Sequence, residues 1–171
     1  MNGRPGNRRD RKYCDPNGVP RIWTRPAKFR FIQLPDVVYI LYEFNAAWRV
    51  VWLNQPEHPD DVDASWYGHS IGRYEGDTLV VDSIGFIDKA WLDSTGRPIS
   101  DKLHLTERFR RLNANTLEIA LTIDDPGAYT KPWTYTKSVT LKDTPFGRYM
   151  FTCSISENLE FDKAIEKPTL R

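Results

Sequence analysis

Tyr67-Gly-His-Ser-Ile-Gly-Arg-Tyr-Glu-Gly-Asp-Thr-Leu-Val-Val-Asp-Ser-Ile-Gly-Phe86 reads as one β-hairpin with a polar cluster on its surface. Gly76-Asp77 separates two β-rich runs and fits a two-residue type II′ turn, whose first central residue needs the positive φ that glycine adopts without strain. That turn sets the register. Glu75 faces Thr78, Arg73 faces Val80, Ile71 faces Asp82 and His69 faces Ile84, so these side chains share one face. Asp82 is then diagonal to both His69 and Arg73, and diagonal neighbours lie ~7–8 Å apart at the backbone, within reach of long side chains. A carboxylate, an imidazole and a guanidinium are expected to converge there as catalytic groups.

Upstream, the chain from Phe29 to Leu53 reads as a three-stranded meander, with a tight turn at Leu34-Pro-Asp-Val37 and a three-residue loop in Phe44-Asn-Ala-Ala-Trp48. Placing Phe44 opposite Trp48 brings Glu43 opposite Arg49, an opposite-charge pair that favours this alignment. One face then holds Phe29, Phe31, Ile40, Tyr42, Phe44, Trp48, Val50 and Trp52, and the other is apolar as well. A sheet apolar on both sides must be covered twice or wrapped around something. The aromatics read as packed core or as the lining of a substrate pocket, to which Phe31, Tyr42, Trp48, Trp52, Tyr67, Trp91 and Trp133 would contribute.

Between meander and hairpin, Gln55-Pro-Glu-His-Pro-Asp-Asp-Val-Asp63 is a Pro-broken acidic loop. Its His58, Asp60, Asp61 and Asp63 match neither a zinc spacing nor a calcium loop, so it reads as solvated, and no metal site is expected. Downstream, Ile87 to Lys102 is a long connection expected to act as a lid that offers Trp91 and Asp93. Leu103–Leu112 and Thr116–Asp124 then form a hairpin across Asn113-Ala-Asn115, with Asn115 expected in the left-handed region. Phe109 faces Ile119, Glu107 faces Leu121 and Leu105 faces Ile123, which puts Glu107 on an apolar face and His104 on the polar one with Arg108 and Arg110. A carboxylate so placed is costly unless paired or protonated, and reads as a catalytic acid–base group or as the partner of an arginine such as Arg30 or Arg49. After the turn-rich Asp124–Trp133, strands are expected over 134–141 and 148–155, with a charged tail from 157 to 171.

Length and composition agree with one folded domain over 13–156: 171 residues, 40% hydrophobic and 13% aromatic. Net charge is +1, and residues 1–12, rich in Arg and Gly without apolar periodicity, read as a disordered basic arm. The body that remains is mildly acidic, which argues against a nucleic-acid partner. Cys14-Asp-Pro-Asn-Gly-Val-Pro-Arg21 reads as an irregular lead-in. No apolar run spans a bilayer and the N-terminus lacks secretory-signal features, so the expectation is a cytoplasmic chain without a membrane partner. Cys14 and Cys153 either staple the arm to the last strand or stand as two separate thiols.

Trp66-Tyr-Gly-His-Ser-Ile-Gly-Arg-Tyr-Glu-Gly-Asp-Thr-Leu-Val-Val-Asp82, Ile84-Gly-Phe-Ile-Asp88, Thr106-Glu-Arg-Phe109 and Thr122-Ile-Asp-Asp-Pro-Gly-Ala-Tyr-Thr-Lys-Pro-Trp133 resemble the shared motifs of a widespread bacterial family of uncharacterised β-rich proteins. The resemblance runs from about Cys14 to Cys153. It implies longer, usually exported relatives and no established activity.

Eight to ten strands joined mostly by short turns, with no long helical pattern, give an all-β antiparallel meander closing into a lipocalin-like barrel, with a two-sheet sandwich as runner-up. Phosphate loops, dinucleotide fingerprints and a nucleophile elbow are absent, and no cofactor is expected. His69, Asp82, Glu107 and Arg73 suit a cofactor-independent acid–base isomerase, cyclase, lyase or hydrolase for an apolar or aromatic substrate held in the barrel cavity. The alternative is a lipocalin-like binding protein for a hydrophobic small ligand.

Overall fold

The computed structural model describes residues 15–147. The basic arm, Cys14, Cys153, the strand expected over 148–155 and the tail from 157 lie outside the described residues.

Eight strands follow a short 3-10 turn at Arg21–Thr24: β1 Phe29–Gln33, β2 Val37–Tyr42, β3 Trp48–Trp52, β4 His69–Glu75, β5 Thr78–Ile84, β6 His104–Asn113, β7 Thr116–Asp124 and β8 Trp133–Thr140. They lie side by side in chain order in one sheet that curls into a half-barrel. All neighbours are antiparallel except β3 and β4, which run parallel through the single pair Trp52↔Ile71. The Pro-broken connection over 53–68 crosses back between these two strands, so they meet briefly and then part.

The central hairpin has the register expected of its turn, from Glu75↔Thr78 to His69↔Ile84. Gly76 has φ 61°, the positive value that a II′ turn demands of its first central residue. At the other end Gly68 has φ 65°, and a Cβ there would meet the Ile84 carbonyl oxygen at 2.6 Å, so the entry to β4 admits only glycine without movement. The β6–β7 hairpin likewise pairs Phe109↔Ile119, Glu107↔Leu121 and Leu105↔Ile123. Its tip differs from expectation. A register shift between Arg111 and Asn113 takes up one residue, and Asn115 does not have a positive φ; its N–H donates to Asn113 Oδ1 at 2.9 Å.

The largest departure is in β3. The chain passes through Asn45 (φ 57°) and Ala46 (φ 47°) in a longer loop, and Trp48 pairs with Leu41 instead of Phe44. A shift of three residues is odd, so every side chain of β3 exchanges faces. Glu43 does not meet Arg49 but lies 3.7 Å from Lys28 Nζ. Trp48 and Trp52, expected inside, are 58% and 37% exposed on the convex side, whereas Arg49 and Val51 point into the core. The second apolar face of β1 to β3 is thus uncovered among the described residues, with Ile32 and Leu34 exposed beside the two tryptophans.

The concave face is filled mainly by Val38, Ile40, Val51, Leu79, Val81, Leu105, Phe109, Ile119, Leu121 and Ile123. The segment expected as a loose lead-in supplies the plug, for Val19, Ile22 and Trp23 are buried in that core. Trp23 lies edge-on to Phe29 and Tyr42 with ring centroids 5.0 and 5.3 Å away, and 5.4 Å from Phe109. The connection over 87–102 also packs instead of hovering as a lid: Ala90, Leu92 and Ile99 are buried, and Asp93 accepts hydrogen bonds from the backbone and hydroxyl of Thr95 at 2.8 and 2.7 Å.

Candidate functional site

Strand alternation divides the expected site in two. Along β4, β5 and β6 the register places His69, Ile71, Arg73, Asp82, His104 and Arg108 on the convex face, and Ser70, Val81, Ser83 and Glu107 on the concave face. Glu107 and Asp82 therefore do not serve one space, contrary to the single barrel cavity expected from the sequence.

On the concave side Glu107 is fully buried and forms a two-pronged ion pair with Arg49: Arg49 Nη1 donates to Oε1 at 3.1 Å and Nη2 donates to Oε2. Trp23 Nε1 donates to the same Oε1 at 2.5 Å. The remaining guanidinium donors reach the hydroxyls of Ser70 at 3.1 Å and Ser83 at 3.3 Å. Burial, the largest single influence, works to lower the Arg49 pKa, but the charge and hydrogen bonding of Glu107 together with Tyr42 raise it overall. Both charges are satisfied and enclosed, so this network holds β3, β5, β6 and the plug together and offers no open face to a substrate.

The convex cluster is half open. Asp82 Oδ1 accepts from His104 Nε2 at 2.6 Å and from His58 Nε2 at 3.2 Å, and His58 Nδ1 lies 2.8 Å from His69 Nδ1. The loop read as solvated thus delivers a residue to the cluster, since His58 drops onto β4 and stands edge-on to the His69 ring at 5.1 Å. All three histidines of the chain gather here, two on the carboxylate of Asp82 and the third, His69, reached through His58. Arg73 does not join them; its guanidinium pairs with Glu75 at 2.8 Å on the exposed end of the hairpin.

The hydrogen-bond network assigns the tautomers. Asp82 is an acceptor, so the proton of neutral His58 sits on Nε2 and its Nδ1 accepts. His69 must then donate from Nδ1, which leaves its Nε2 with a free lone pair. The carboxylate orients one imidazole and that imidazole orients the next. Electrostatics separates the two outer histidines. Desolvation, followed by the neighbouring His58, lowers the His69 pKa from 6.5, whereas the hydrogen bond to Asp82 raises that of His104 from 6.5 against the effect of burial. Burial opposes the charge on Asp82, yet the hydrogen bonds from His104 and His58 outweigh it and its pKa falls below 3.8.

Beside this cluster, where β3 and β4 part, lies a cleft of ≈280 Å³ lined by Leu53, Asn54, Gln55, Pro56, Ile71, Gly72 and Arg73. Ile71 is the register partner of Asp82 and follows His69 by two positions on the same face, so cleft and cluster adjoin. Gln55 Oε1 in its wall is buried without a hydrogen-bond partner among the described residues.

The other expected binding residues are dispersed. Phe31 packs in the core between Phe29 and Phe109 at 5.7 and 5.2 Å. Tyr42 is buried and stacked with Tyr67 at 6.5 Å, and burial pushes the Tyr67 pKa up to about 12. Trp91 bridges to Pro98, and Trp133 stands edge-on to Tyr129 at 5.8 Å. No group of side chains fit to hold a metal ion occurs among the described residues. No family model, curated protein or solved structure matches the chain.

Proposed function

We propose that the protein is a small-molecule enzyme that works by acid–base catalysis without a cofactor, with His69 as the base. The observation that carries this reading is the chain Asp82, His58, His69, linked at 3.2 and 2.8 Å and ending, among the described residues, in an unengaged imidazole nitrogen on a half-open surface. Isomerisation, cyclisation or elimination needs a base and an acid, and environments that push two like groups apart, His69 below the ordinary histidine value and His104 above it, assign the roles. His69 Nε2 removes a proton from the substrate. The hydrogen-bond chain through His58 to Asp82 holds the His69 ring and its tautomer in place, and His104 returns a proton. The substrate is apolar or aromatic: the adjoining cleft presents Leu53, Pro56 and Ile71, and Trp52 is paired with Ile71 across the strands. Arg73 and the Gln55 carbonyl at its rim supply polar anchors. Membership of the bacterial family suggested by the motifs carries no activity with it, so the reading rests on this geometry.

The test uses proton abstraction from 5-nitrobenzisoxazole, an aromatic substrate whose breakdown reports a positioned base. His69→Gln should keep the fold and lower the rate by about 10²–10⁴-fold, the usual worth of such a group. Asp82→Asn should do comparable damage by releasing the tautomers. An unchanged rate in folded His69→Gln contradicts the assignment.

A further inference from the structure

A second cavity, separate from the histidine cluster, lies on the concave side. Its volume is ≈280 Å³, and its walls come from the plug and the segment after it (Ile22, Trp23, Arg25 to Phe29), from Tyr42 of β2, and from Lys137, Ser138 and Val139 of β8. It therefore sits between β1 and β8, the two edge strands of the half-barrel, which do not pair with each other. The apolar walls are aromatic, with Trp23, Phe29 and Tyr42 meeting edge to face at 5.0 and 5.3 Å.

The charges in the wall have one sign. Arg25, Lys28 and Lys137 line the cavity, and among the described residues no carboxylate does. Lys28 leans toward Glu43 at 3.7 Å, and the Arg25 guanidinium stands over the Phe44 ring at 5.5 Å while its Nε donates to Asn17 at 3.1 Å. Lys137 is different. Paired with Ile119, it points to the concave side, where its ammonium donates to the Trp23 carbonyl and rests 6.0 Å above the Trp23 ring, and it has no carboxylate partner among the described residues. An ammonium has three donors, and the structure accounts for one. Tyr42, only 3% exposed, closes the cavity floor with its ring. Half-burial of Lys137 works against its charge and lowers its pKa, a cost that an anion in the cavity would offset.

We infer that this cavity is a binding site for an aromatic monocarboxylate, whose ring stacks among Trp23, Phe29 and Tyr42 and whose carboxylate pairs with Lys137. At ~30 Å³ for each water-sized group the volume holds roughly ten non-hydrogen atoms, which sets the ligand at the size of a phenylalkanoic acid. The uncharged alcohol of the same shape would fill the walls equally and leave Lys137 unpaired, and a site that must pair a desolvated charge discriminates strongly against such an isostere. The site does not depend on His69 or Asp82, which lie on the convex face.

The experiment measures binding of 3-phenylpropanoate and 3-phenylpropanol to the full chain by calorimetry, with tryptophan fluorescence as a second readout because Trp23 is in the wall. The acid should bind at least tenfold more tightly than the alcohol. Lys137→Gln should erase that preference while leaving the melting temperature near that of the wild type. Ala27→Trp should obstruct the cavity and weaken both ligands. His69→Gln should bind the acid as the wild type does, which separates this site from the catalytic one. Equal affinity for acid and alcohol, a preserved preference in Lys137→Gln, or no binding of the acid by the folded protein each overturns the inference; if Lys137→Gln fails to fold, the acid–alcohol ratio and the Ala27→Trp variant still decide.

Discussion

The two faces of strands β4 to β6 carry similar chemistry to opposite ends. On the concave face Glu107 meets Arg49, Trp23, Ser70 and Ser83, all enclosed, and every strong donor is spent on a partner. On the convex face Asp82 meets His104 and His58, is partly exposed, and through His58 reaches His69 at the end of the chain. The carboxylates occupy adjacent strands, with Val81 rather than Asp82 opposite Glu107. One step along β5 thus separates an enclosed ion pair from a half-open histidine cluster.

Breaking the concave pair should have the largest effect. Arg49→Met leaves Glu107 buried and unpaired, and stability measured by urea unfolding should fall by about 3–5 kcal/mol, with the double variant Arg49→Met/Glu107→Leu recovering most of it because well-packed apolar groups commonly replace a buried pair at little cost. Arg73→Met, which breaks only the exposed pair with Glu75, should leave the unfolding midpoint unmoved. Comparable losses from Arg49→Met and Arg73→Met would erase the contrast between the faces.

A smaller effect is expected from pH. The raised His104 pKa adds stability that is fully present below the ordinary histidine value of 6.5 and is lost as pH rises through the raised one; the depressed Asp82 pKa adds stability present above 3.8 and lost as pH falls through its lowered value. The difference in stability between wild type and His104→Asn should therefore be greatest between these limits and shrink on either side. A difference that is flat from acid to alkaline pH would break the Asp82–His104 link. The smallest effect belongs to the convex tryptophan: Trp48→Ser should change stability by no more than about 0.5 kcal/mol, since the indole is 58% exposed. A loss of several kcal/mol would return Trp48 to the interior.

The sequence carried the hairpins and hid the contacts between them. Gly76 and the apolar alternation of β6 and β7 fix their registers locally, and so the face assignments of His69, Asp82 and Glu107 are readable from neighbouring residues alone. The loop after Tyr42 has no such signal. An apparent Glu43–Arg49 pair favours one alignment, whereas two consecutive left-handed residues and the distant Glu107 decide another. His58 is invisible for a related reason: it lies eleven residues before His69 in a Pro-broken loop, and nothing nearby in sequence says where that loop folds. Trp23 reaches Glu107 from 84 residues away, out of a run of turn residues that reads as a tether.

The most direct test is nitrogen-15 NMR of the three imidazoles through a pH titration, which reads tautomer and pKa at each ring. The predicted result is His69 protonated on Nδ1 and bare on Nε2 at neutral pH, with its pKa below 6.5 and that of His104 above it. In Asp82→Asn the His104 value should move back toward 6.5, because its hydrogen bond to the carboxylate is lost, and the His69 tautomer should lose its preference. Three histidines titrating together near 6.5 in the wild type, with the His69 proton on Nε2, would contradict the relay and the function built on it.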